Sequence, residues 1–551
     1  MPVARPAKGI DRLFVMGWRG SLAAILIAFV VSFFLSGFWW PYWRIADMDL
    51  WMVYEAFLSN NGLRQEYFDH PGYLTILSLG TWFKWLHAFG LLSIHAISNL
   101  PVAFDGPDSG LAWMRATQAA RLLSLLIALA FLTSFAFLLR CLVRDWRIAI
   151  LSAFALAFSG GLMMEGRIVR TELLPAAFMY CGFLLLLLAA RTQTSYRPLL
   201  VGLTSFLAAL AMLNKVQFLL LILAFPPILV AFGHRFAQPI TWQSRRNQFL
   251  LMIAYGAVAV LAAVLAWPIA QAGLFDAAAV SDRVRLFGTE FPFYQVLIGV
   301  WILGWMLTYA IMFGVGWAET VSAMAAMIAG AGLGLLVLML RYDVHNAVVV
   351  INPFEKMLLF AKTSDAGLLQ DGTMDGGAFV QSLLSGVGLL LTRLTFVLNS
   401  SPRPTIFLEW VVIAGAVFAW RRGERKVVFQ VALLLAAASA IDLLGTLRGL
   451  KLEYFIVTDP LVIIAAAWLL ARVPSLLMHR WVLPVGLTLM IATICVGLAE
   501  PVKHDFENDI PLSFCVPHHY YTRRVVGFSF CPWALPVPID PVAAESASGA
   551  H

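Results

Sequence analysis

Long apolar runs alternate with short basic clusters along most of the chain. Several runs reach about 18 residues, the length at which a helix crosses roughly 30 Å of hydrocarbon. Inside a bilayer every backbone polar group must bond within its own segment, so such runs predict transmembrane helices. We therefore predict an all-α, polytopic transmembrane protein with about 13 spans. The predicted spans are 20–40, 117–140, 148–165, 173–190, 198–213, 216–233, 248–270, 294–316, 320–340, 404–420, 427–444, 455–472 and 481–499.

Basic residues near the ends of these runs predict the orientation. Lysines and arginines before the first span predict a cytoplasmic N-terminus, because Lys and Arg mark cytoplasmic loops. Counting spans from there predicts which segments lie outside. The predicted parts are the cytoplasmic N-terminus at 1–19, a transmembrane domain at 20–499 with large external loops at 41–116 and 341–379, and an external tail at 500–551.

Two apolar stretches are predicted not to cross, because only then do all basic clusters fall on the cytoplasmic side. The stretch 73–98 is interrupted by one lysine and two histidines, and we expect a helix that lies in the outer interface or re-enters the membrane. The stretch 380–398 carries Arg393 in its middle. The first external loop is accordingly expected to carry amphipathic helices.

Composition agrees with a membrane protein, since 61% of the residues are hydrophobic, 13% are charged and the mean hydropathy is +0.83. The net charge of +7 does not indicate nucleic-acid binding, because the basic residues cluster at span ends, where they set topology. An external tail favours a disulfide between Cys515 and Cys531, with two free thiols as the alternative. His518 and His519 are adjacent and lack the spacing of metal ligands.

The polar stretch from Trp43 to Gly72 places carboxylates beside the membrane surface, directly after the first span. On the predicted topology it shares the outer face with basic and polar residues from later loops. Ionisable groups at membrane depth are costly and tend to face functional cavities, although solvated loop residues are the alternative. The candidate functional residues at this face are Asp47, Asp49, Asp69, His70, Arg167, Arg170, Glu172, Lys215, Lys451 and Tyr454.

The residues Asp49, Trp51, Tyr54 and Ala56 form the pattern D-x-W-x-x-Y-x-A after the first span. This pattern resembles the GT-C superfamily of integral-membrane glycosyltransferases. Catalytic subunits of oligosaccharyltransferases carry D-P-W-x-x-Y-x-A at this place, and O-mannosyltransferases and lipid A aminoarabinose transferases carry an Asp-Glu pair there. Leu50 stands where those families have Pro or Glu, so the motif is only partly kept.

Three further segments resemble features of that superfamily. The sequence Arg-x-x-Arg-Thr-Glu at 167–172 looks like its second external acidic motif. The sequence Lys-Leu-Glu-Tyr at 451–454, followed by Asp-Pro at 459–460, looks like the R-x-Y…P region near the end of the membrane core. The turn Asp-His-Pro-Gly at 69–72 stands where related enzymes have Lys-Pro-Pro or a similar turn.

The resemblance implies an inverting enzyme of a bacterial inner membrane. It would move a sugar from a polyprenyl-phosphate donor to an envelope glycolipid or glycan on the periplasmic face. Asp49, with Asp47 as the substitute candidate, would be the general base that takes the proton of the acceptor hydroxyl. The leaving phosphate would need cationic partners. The candidates for that contact are Arg167, Arg170, Lys215 and Lys451.

Metal use stays open, and we expect no cofactor. Oligosaccharyltransferases hold a divalent ion between two external acidic motifs, which Asp49 and Glu172 could reproduce. Enzymes that use polyprenyl-monophosphate sugars need no such ion, and the loop sizes of this chain are closer to theirs. A secondary transporter or lipid flippase, with charges near the bilayer midplane, is one alternative function. A lipid-linked glycan polymerase or ligase is another.

Overall fold

Helices make up nearly all of the chain that the computed structural model describes. The described residues are 17–40, 42, 49–65, 72–100, 107–191, 196–233, 245–275, 283–286, 289–341, 384–388, 390–391, 406–445, 452–473, 484–492, 494–495 and 498. One short antiparallel hairpin, β1 (Arg283–Leu286) with β2 (Thr289–Pro292), interrupts them. The predicted helical class is confirmed. The α-helices are α1 (Gly17–Ser36), α2 (Trp51–Asn60), α3 (Tyr73–Ala88), α4 (Pro107–Val143), α5 (Trp146–Ala157), α6 (Gly160–Glu165), α7 (Leu173–Arg191), α8 (Arg197–Asn214), α9 (Leu219–Phe232), α10 (Arg245–Phe275), α11 (Phe293–Phe313), α12 (Trp317–Leu336), α13 (Ile406–Arg421), α14 (Arg425–Gly445) and α15 (Asp459–Arg472).

Eight helical segments among the described residues are long and apolar enough to cross a membrane. The chain is therefore an α-helical, multi-pass membrane protein. The total of about 13 spans stays a prediction. The eight segments are Gly17–Ser36, Leu111–Val143, Leu173–Arg191, Arg197–Asn214, Arg246–Ile269, Gln295–Phe313, Trp317–Arg341 and Arg425–Gly445.

The predicted span 148–165 is wrong as a single helix. Helix α5 ends at Ala157, and the separate short helix α6 follows it. Ser159 marks the break, because its side chain accepts a hydrogen bond from the backbone N–H of Leu162 (3.3 Å) and so caps α6. A serine inside an apolar run can thus end one helix and begin the next.

Other predicted spans are shorter than expected or described only in part. The run 216–233 begins as a 3-10 turn and continues as the 14-residue α9, and the run 455–472 likewise begins within a 3-10 turn, Leu452–Val457, before α15. Helix α3, within the stretch 73–98, has 16 residues and is not among the eight candidate spans. The stretch 380–398 lies mostly outside the described residues.

Helix α15 lies at the centre of the largest apolar core. Every residue from Asp459 to Leu469 is buried, so the helix has no face toward lipid along that length. Helices α5, α13 and α14 pack against it. Because lipid chains are as apolar as these side chains, close packing rather than removal from water holds such helices together.

Small residues allow α8 and α12 to approach closely. A Cβ atom added at Gly330 would lie 2.1 Å from the carbonyl oxygen of Gly202, and one added at Gly334 would lie 2.5 Å from the Cβ of Ala209. Glycines four residues apart on one helix face are a common motif for contact between transmembrane helices. This contact runs along α8, which ends at Asn214 directly before Lys215.

Helices α2 and α3 form a second apolar core with the first half of α4. Phe57 packs against both Phe83 and Trp113, with ring centroids 5.2 and 5.6 Å apart. All residues from Trp51 to Leu58 are buried, including Glu55. The expectation that this part of the first loop is an amphipathic surface helix is therefore wrong for α2. The segment after the first span is instead an interior element.

Candidate functional site

Asp49 lies in the interior and pairs with an arginine from α4. The Oδ2 atom of Asp49 is 2.5 Å from Nη2 and 3.0 Å from Nε of Arg121. Both side chains are fully buried. The other carboxylate oxygen accepts a hydrogen bond from the backbone N–H of Val169 (2.6 Å). Asp49 therefore joins α4 to the segment that carries the second candidate motif.

Arg121 also binds the end of the first span. Its Nη1 donates to the carbonyl oxygens of Gly37 (3.2 Å), Phe38 (3.1 Å) and Trp40 (2.5 Å). These residues follow the last helical residue, Ser36, and their buried carbonyls need partners outside the helix, which the guanidinium supplies. One buried arginine thus fixes the chain just after α1 and the carboxylate of Asp49 together.

Arg167, the first residue of the motif at 167–172, contacts the same end of α1. It donates from Nε to the carbonyl oxygen of Met163 (2.7 Å) and from Nη1 to that of Ser36 (3.3 Å). Its side chain passes Gly37 so closely that a Cβ added there would lie 2.7 Å from the Cβ of Arg167. Its guanidinium carbon lies 5.9 Å from the ring centroid of Trp40. Arg167 therefore has a packing role as well as a charge.

Glu172 and Lys215 form the second ion pair of the site. Nζ of Lys215 lies 2.6 Å from Oε1 of Glu172 and donates to Oγ1 of Thr171 at 3.3 Å. The Thr171 hydroxyl in turn donates to Oε2 of Glu172 (3.1 Å). Glu172 directly precedes α7 and Lys215 directly follows α8, so each charge faces the helix end that its sign favours. Burial lowers the pKa of Lys215, and the charge of Glu172 opposes that shift.

Arg170 connects this pair to a further carboxylate. Its Nε lies 3.5 Å from Oε1 of Glu165 and 3.6 Å from Oε2 of Glu172. Glu165 ends α6 and is fully buried. We name the whole set the mixed-charge cluster; it consists of Asp49, Arg121, Glu165, Arg167, Arg170, Glu172 and Lys215.

Asn214 holds the start of α3 against the mixed-charge cluster. Its Oδ1 accepts hydrogen bonds from the backbone N–H groups of Leu74 (2.7 Å) and Thr75 (3.1 Å), and its carbonyl oxygen accepts one from Gly72 (3.0 Å). A side chain from α8 thus caps α3, whose own residue before the helix, Gly72, has no side chain to do so. The predicted residues Asp69 and His70 lie outside the described residues.

The segment 452–459, which overlaps the third segment with a superfamily resemblance, packs on α6. A Cβ added at Gly161 would lie 2.2 Å from the backbone nitrogen of Ile456, and the N–H of Gly161 donates to Oδ2 of Asp459 (3.2 Å). The hydroxyl of Tyr180 donates to the carbonyl oxygen of Val457. Tyr454 is half-buried in this segment. The structure therefore brings the 452–459 segment beside the helix that ends at Glu165, whereas Lys451 and Asp47 lie outside the described residues.

Two members of the mixed-charge cluster are not among the residues that the sequence motifs single out. Arg121 is an arginine within an apolar run, a position where a charge indicates an internal partner. Glu165 stands at the end of another apolar run and gives a weaker signal of the same kind. Within the described part of the chain, no group of three or more His, Cys, Asp or Glu side chains is placed to hold a metal ion. Asp49 and Glu172 pair with Arg121 and Lys215 instead.

Comparisons with protein-family models, with curated proteins and with solved structures found no match for this chain.

Proposed function

We propose that this protein is a GT-C type glycosyltransferase of a bacterial inner membrane. It moves a sugar from a polyprenyl-phosphate donor to an envelope glycolipid or glycan on the periplasmic face. The observation that supports the proposal best is the mixed-charge cluster. It joins the residue after the first span, Asp49, to the second motif at 167–172 and to Lys215 at one end of the helical bundle.

The balance of charge in the cluster suits a phosphate leaving group. Four cations stand against three carboxylates, so one positive charge is in excess. Preorganised cations in a site that excludes water stabilise developing negative charge strongly. Arg170 and Lys215 are the proposed phosphate contacts, because they lie beside each other around Glu172.

The proposed role of Asp49 follows from its contacts. A general base must come within hydrogen-bond reach of the proton that it removes. The side chain of Asp49 is fully buried and holds Arg121 and the Val169 N–H. We therefore assign Asp49 as a positioning residue in this arrangement, and Asp47 becomes the first candidate for the base.

Transfer of a labelled sugar from polyprenyl-phosphate donors, in proteoliposomes that contain the full chain, tests the proposal. Loss of a positioned base lowers rate by roughly 10²- to 10⁴-fold, so we expect Asp47→Asn to reduce kcat by about that factor with normal folding. Asp49→Asn should reduce both activity and thermal stability. If neither substitution changes transfer at equal protein levels, the proposed roles are wrong.

Asp145→Asn is the matched control. Asp145 caps α5 through a hydrogen bond from the N–H of Arg147 (2.9 Å), and asparagine caps equally well. We expect this variant to keep full transfer. If the wild-type protein transfers sugar from no polyprenyl-phosphate donor, the proposed function fails, and uptake of a labelled solute would favour the transporter alternative.

A further inference from the structure

Two arginines stack on one tryptophan at the end of the bundle away from the mixed-charge cluster, and a third arginine lies near them. The guanidinium carbons of Arg191 and Arg472 lie 4.4 and 4.6 Å from the ring centroid of Trp468. Arg144 is close enough to repel both of them electrostatically. Helix α7 has 19 residues, so this end lies roughly 28 Å from Glu172 at 1.5 Å per residue. We name Arg144, Arg191 and Arg472 the arginine cluster.

Trp468 is a fixed support for the cluster. It is buried, and its Nε1 donates to Oε1 of Gln430 (2.7 Å). Gln430 is itself held, because its Nε2 donates to the carbonyl oxygen of Ala231 (2.8 Å). Stacking on a tryptophan ring orients a guanidinium and leaves its N–H edge free to bind an anion.

Among the described residues, carboxylates only partly balance the positive charge of the arginine cluster. Within the described part of the chain, none of the three arginines forms an ion pair. The neighbouring Asp145 caps α5. The three helices α4, α7 and α15 end here, and their C-terminal dipoles together supply only roughly −1.5 charges. With the one negative charge of Asp145 included, a net positive charge of roughly half a unit remains available to an anion.

The backbone at Arg144 is also unusual for an arginine. Its φ angle is +62°, the left-handed conformation in which helices commonly end with glycine. No other described non-glycine residue has a positive φ. A strained arginine at a position where glycine fits better indicates that the side chain itself is used.

We propose that the arginine cluster binds the phosphate of an anionic membrane phospholipid. Two of the three arginines end or follow candidate spans, α4 and α7, which places them at headgroup depth. Phe137 of α4, two turns before Arg144, is 58% exposed, so the helix surface beside the cluster is apolar. Arg144 and Arg472 are exposed and accessible to a headgroup. A free phosphate would gain nothing from the apolar surface.

Thermal unfolding of the full chain in nanodiscs tests this assignment. We compare phosphatidylcholine alone with increasing fractions of phosphatidylglycerol, and native mass spectrometry counts the lipid retained. Two arginines near a surface account for roughly 30-fold in affinity for anionic lipid, so Arg191→Gln with Arg472→Gln should shift the midpoint of the phosphatidylglycerol titration by about that factor. Less than a twofold shift would overturn the proposal.

The control removes two charges of the same kind at the same end of the bundle. Arg422 and Arg425 also stack on aromatic rings, Phe418 and Trp420, at 4.5 and 5.8 Å. Arg422→Gln with Arg425→Gln should leave the titration midpoint nearly unchanged. An equal loss in both double variants would show diffuse attraction to the surface rather than a site, and would overturn the proposal.

Arg144→Gly separates a lipid site from a structural role. Glycine relieves the left-handed strain, so we expect a higher unfolding temperature than wild type in pure phosphatidylcholine. The variant should also bind phosphatidylglycerol roughly fivefold more weakly. An unchanged response to phosphatidylglycerol would remove Arg144 from the site. If inorganic phosphate in phosphatidylcholine nanodiscs reproduces the stabilisation, the assignment to a lipid is wrong.

Discussion

The two ends of the bundle handle charge in opposite ways. At one end, the mixed-charge cluster buries cations and carboxylates together, and its Asp49–Arg121 and Glu172–Lys215 pairs join distant segments of the chain. At the other end, Arg191 and Arg472 of the arginine cluster stack on Trp468, and neither forms an ion pair with a described carboxylate. The first end is held by internal ion pairs, whereas the second offers positive charge to its surroundings.

This difference indicates where each end is sensitive. A buried pair becomes strongly destabilising when one partner is removed, because the remaining charge is left without compensation. Partly exposed arginines lose little stability when they are removed, since water solvates them before and after. Substitutions at the first end should therefore change folding and activity together, and substitutions at the second should change the response to lipid.

The largest effect on stability is expected from Asp49→Asn. This substitution leaves Arg121 without its carboxylate partner, so the end with the mixed-charge cluster would resemble the end with the arginine cluster. Removing one partner of a buried pair typically lowers stability by about 3–5 kcal/mol. Equilibrium unfolding in mixed micelles measures the loss. The double variant Asp49→Leu with Arg121→Leu, which removes both charges, should recover much of it. A change of under about 1 kcal/mol for Asp49→Asn would contradict the role of this pair.

Gly161→Ala sharpens the comparison, because it disturbs the first end without altering charge. The added Cβ would lie 2.2 Å from the nitrogen of Ile456, so the 452–459 segment must move away from α6. Overpacking of this kind lowers the free energy of unfolding by about 1–3 kcal/mol. Sugar transfer and unfolding are measured together. Gly256→Ala in α10, where nothing lies within 4 Å, is the control and should be neutral or stabilising.

Asn214→Ala should have a smaller effect of the same kind. It removes the acceptor that caps α3 and should lower stability by about 1 kcal/mol. Asn214→Asp keeps a side-chain acceptor and serves as the comparison. Hydrogen exchange of the Leu74 and Thr75 amides reports the local effect, and unchanged protection in Asn214→Ala would show that the cap is unimportant.

The smallest effect is a pH dependence below the usual lysine pKa of 10.5, and it concerns Lys215. Its folded-state pKa is lowered by burial, so the unfolded chain binds more protons between that pKa and the usual value of 10.5. The free energy of unfolding should therefore rise with pH through this window, and the gain should be lost as pH falls through the folded-state pKa. Lys215→Arg stays charged and should lack the rise. Identical pH profiles for both proteins would contradict the shift.

The sequence alone predicts the class of fold and several residues of the mixed-charge cluster. Long apolar runs predict the helices, because a bilayer requires backbone bonds within each segment. The residues Arg167, Arg170, Glu172 and Lys215 stand out as charges beside apolar runs, and the structure places them together. These residues can be grouped from the sequence because the Lys and Arg residues at span ends predict which loops lie on the same side of the membrane.

The partners of those residues could not be predicted in the same way. Arg121 pairs with Asp49 across 72 positions, and no local pattern encodes that distance. The interior position of α2 is equally hard to predict. Glu55 is a charged residue, and charged residues are usually exposed, yet the structure buries Glu55. The break at Ser159 depends on one capping hydrogen bond within an otherwise apolar run. The first two features are set by tertiary contacts, whereas the break at Ser159 is a local cap within an apolar run.

The central position of α15 has a consequence for biogenesis. Helices α5, α13 and α14 pack against α15, and all three are synthesised before it. Earlier helices that enter the bilayer must therefore leave a gap until residues 459–472 emerge from the ribosome. A nascent chain halted before this point would hold an unfilled interior, so insertion of α15 is the step that fills the centre of the largest apolar core.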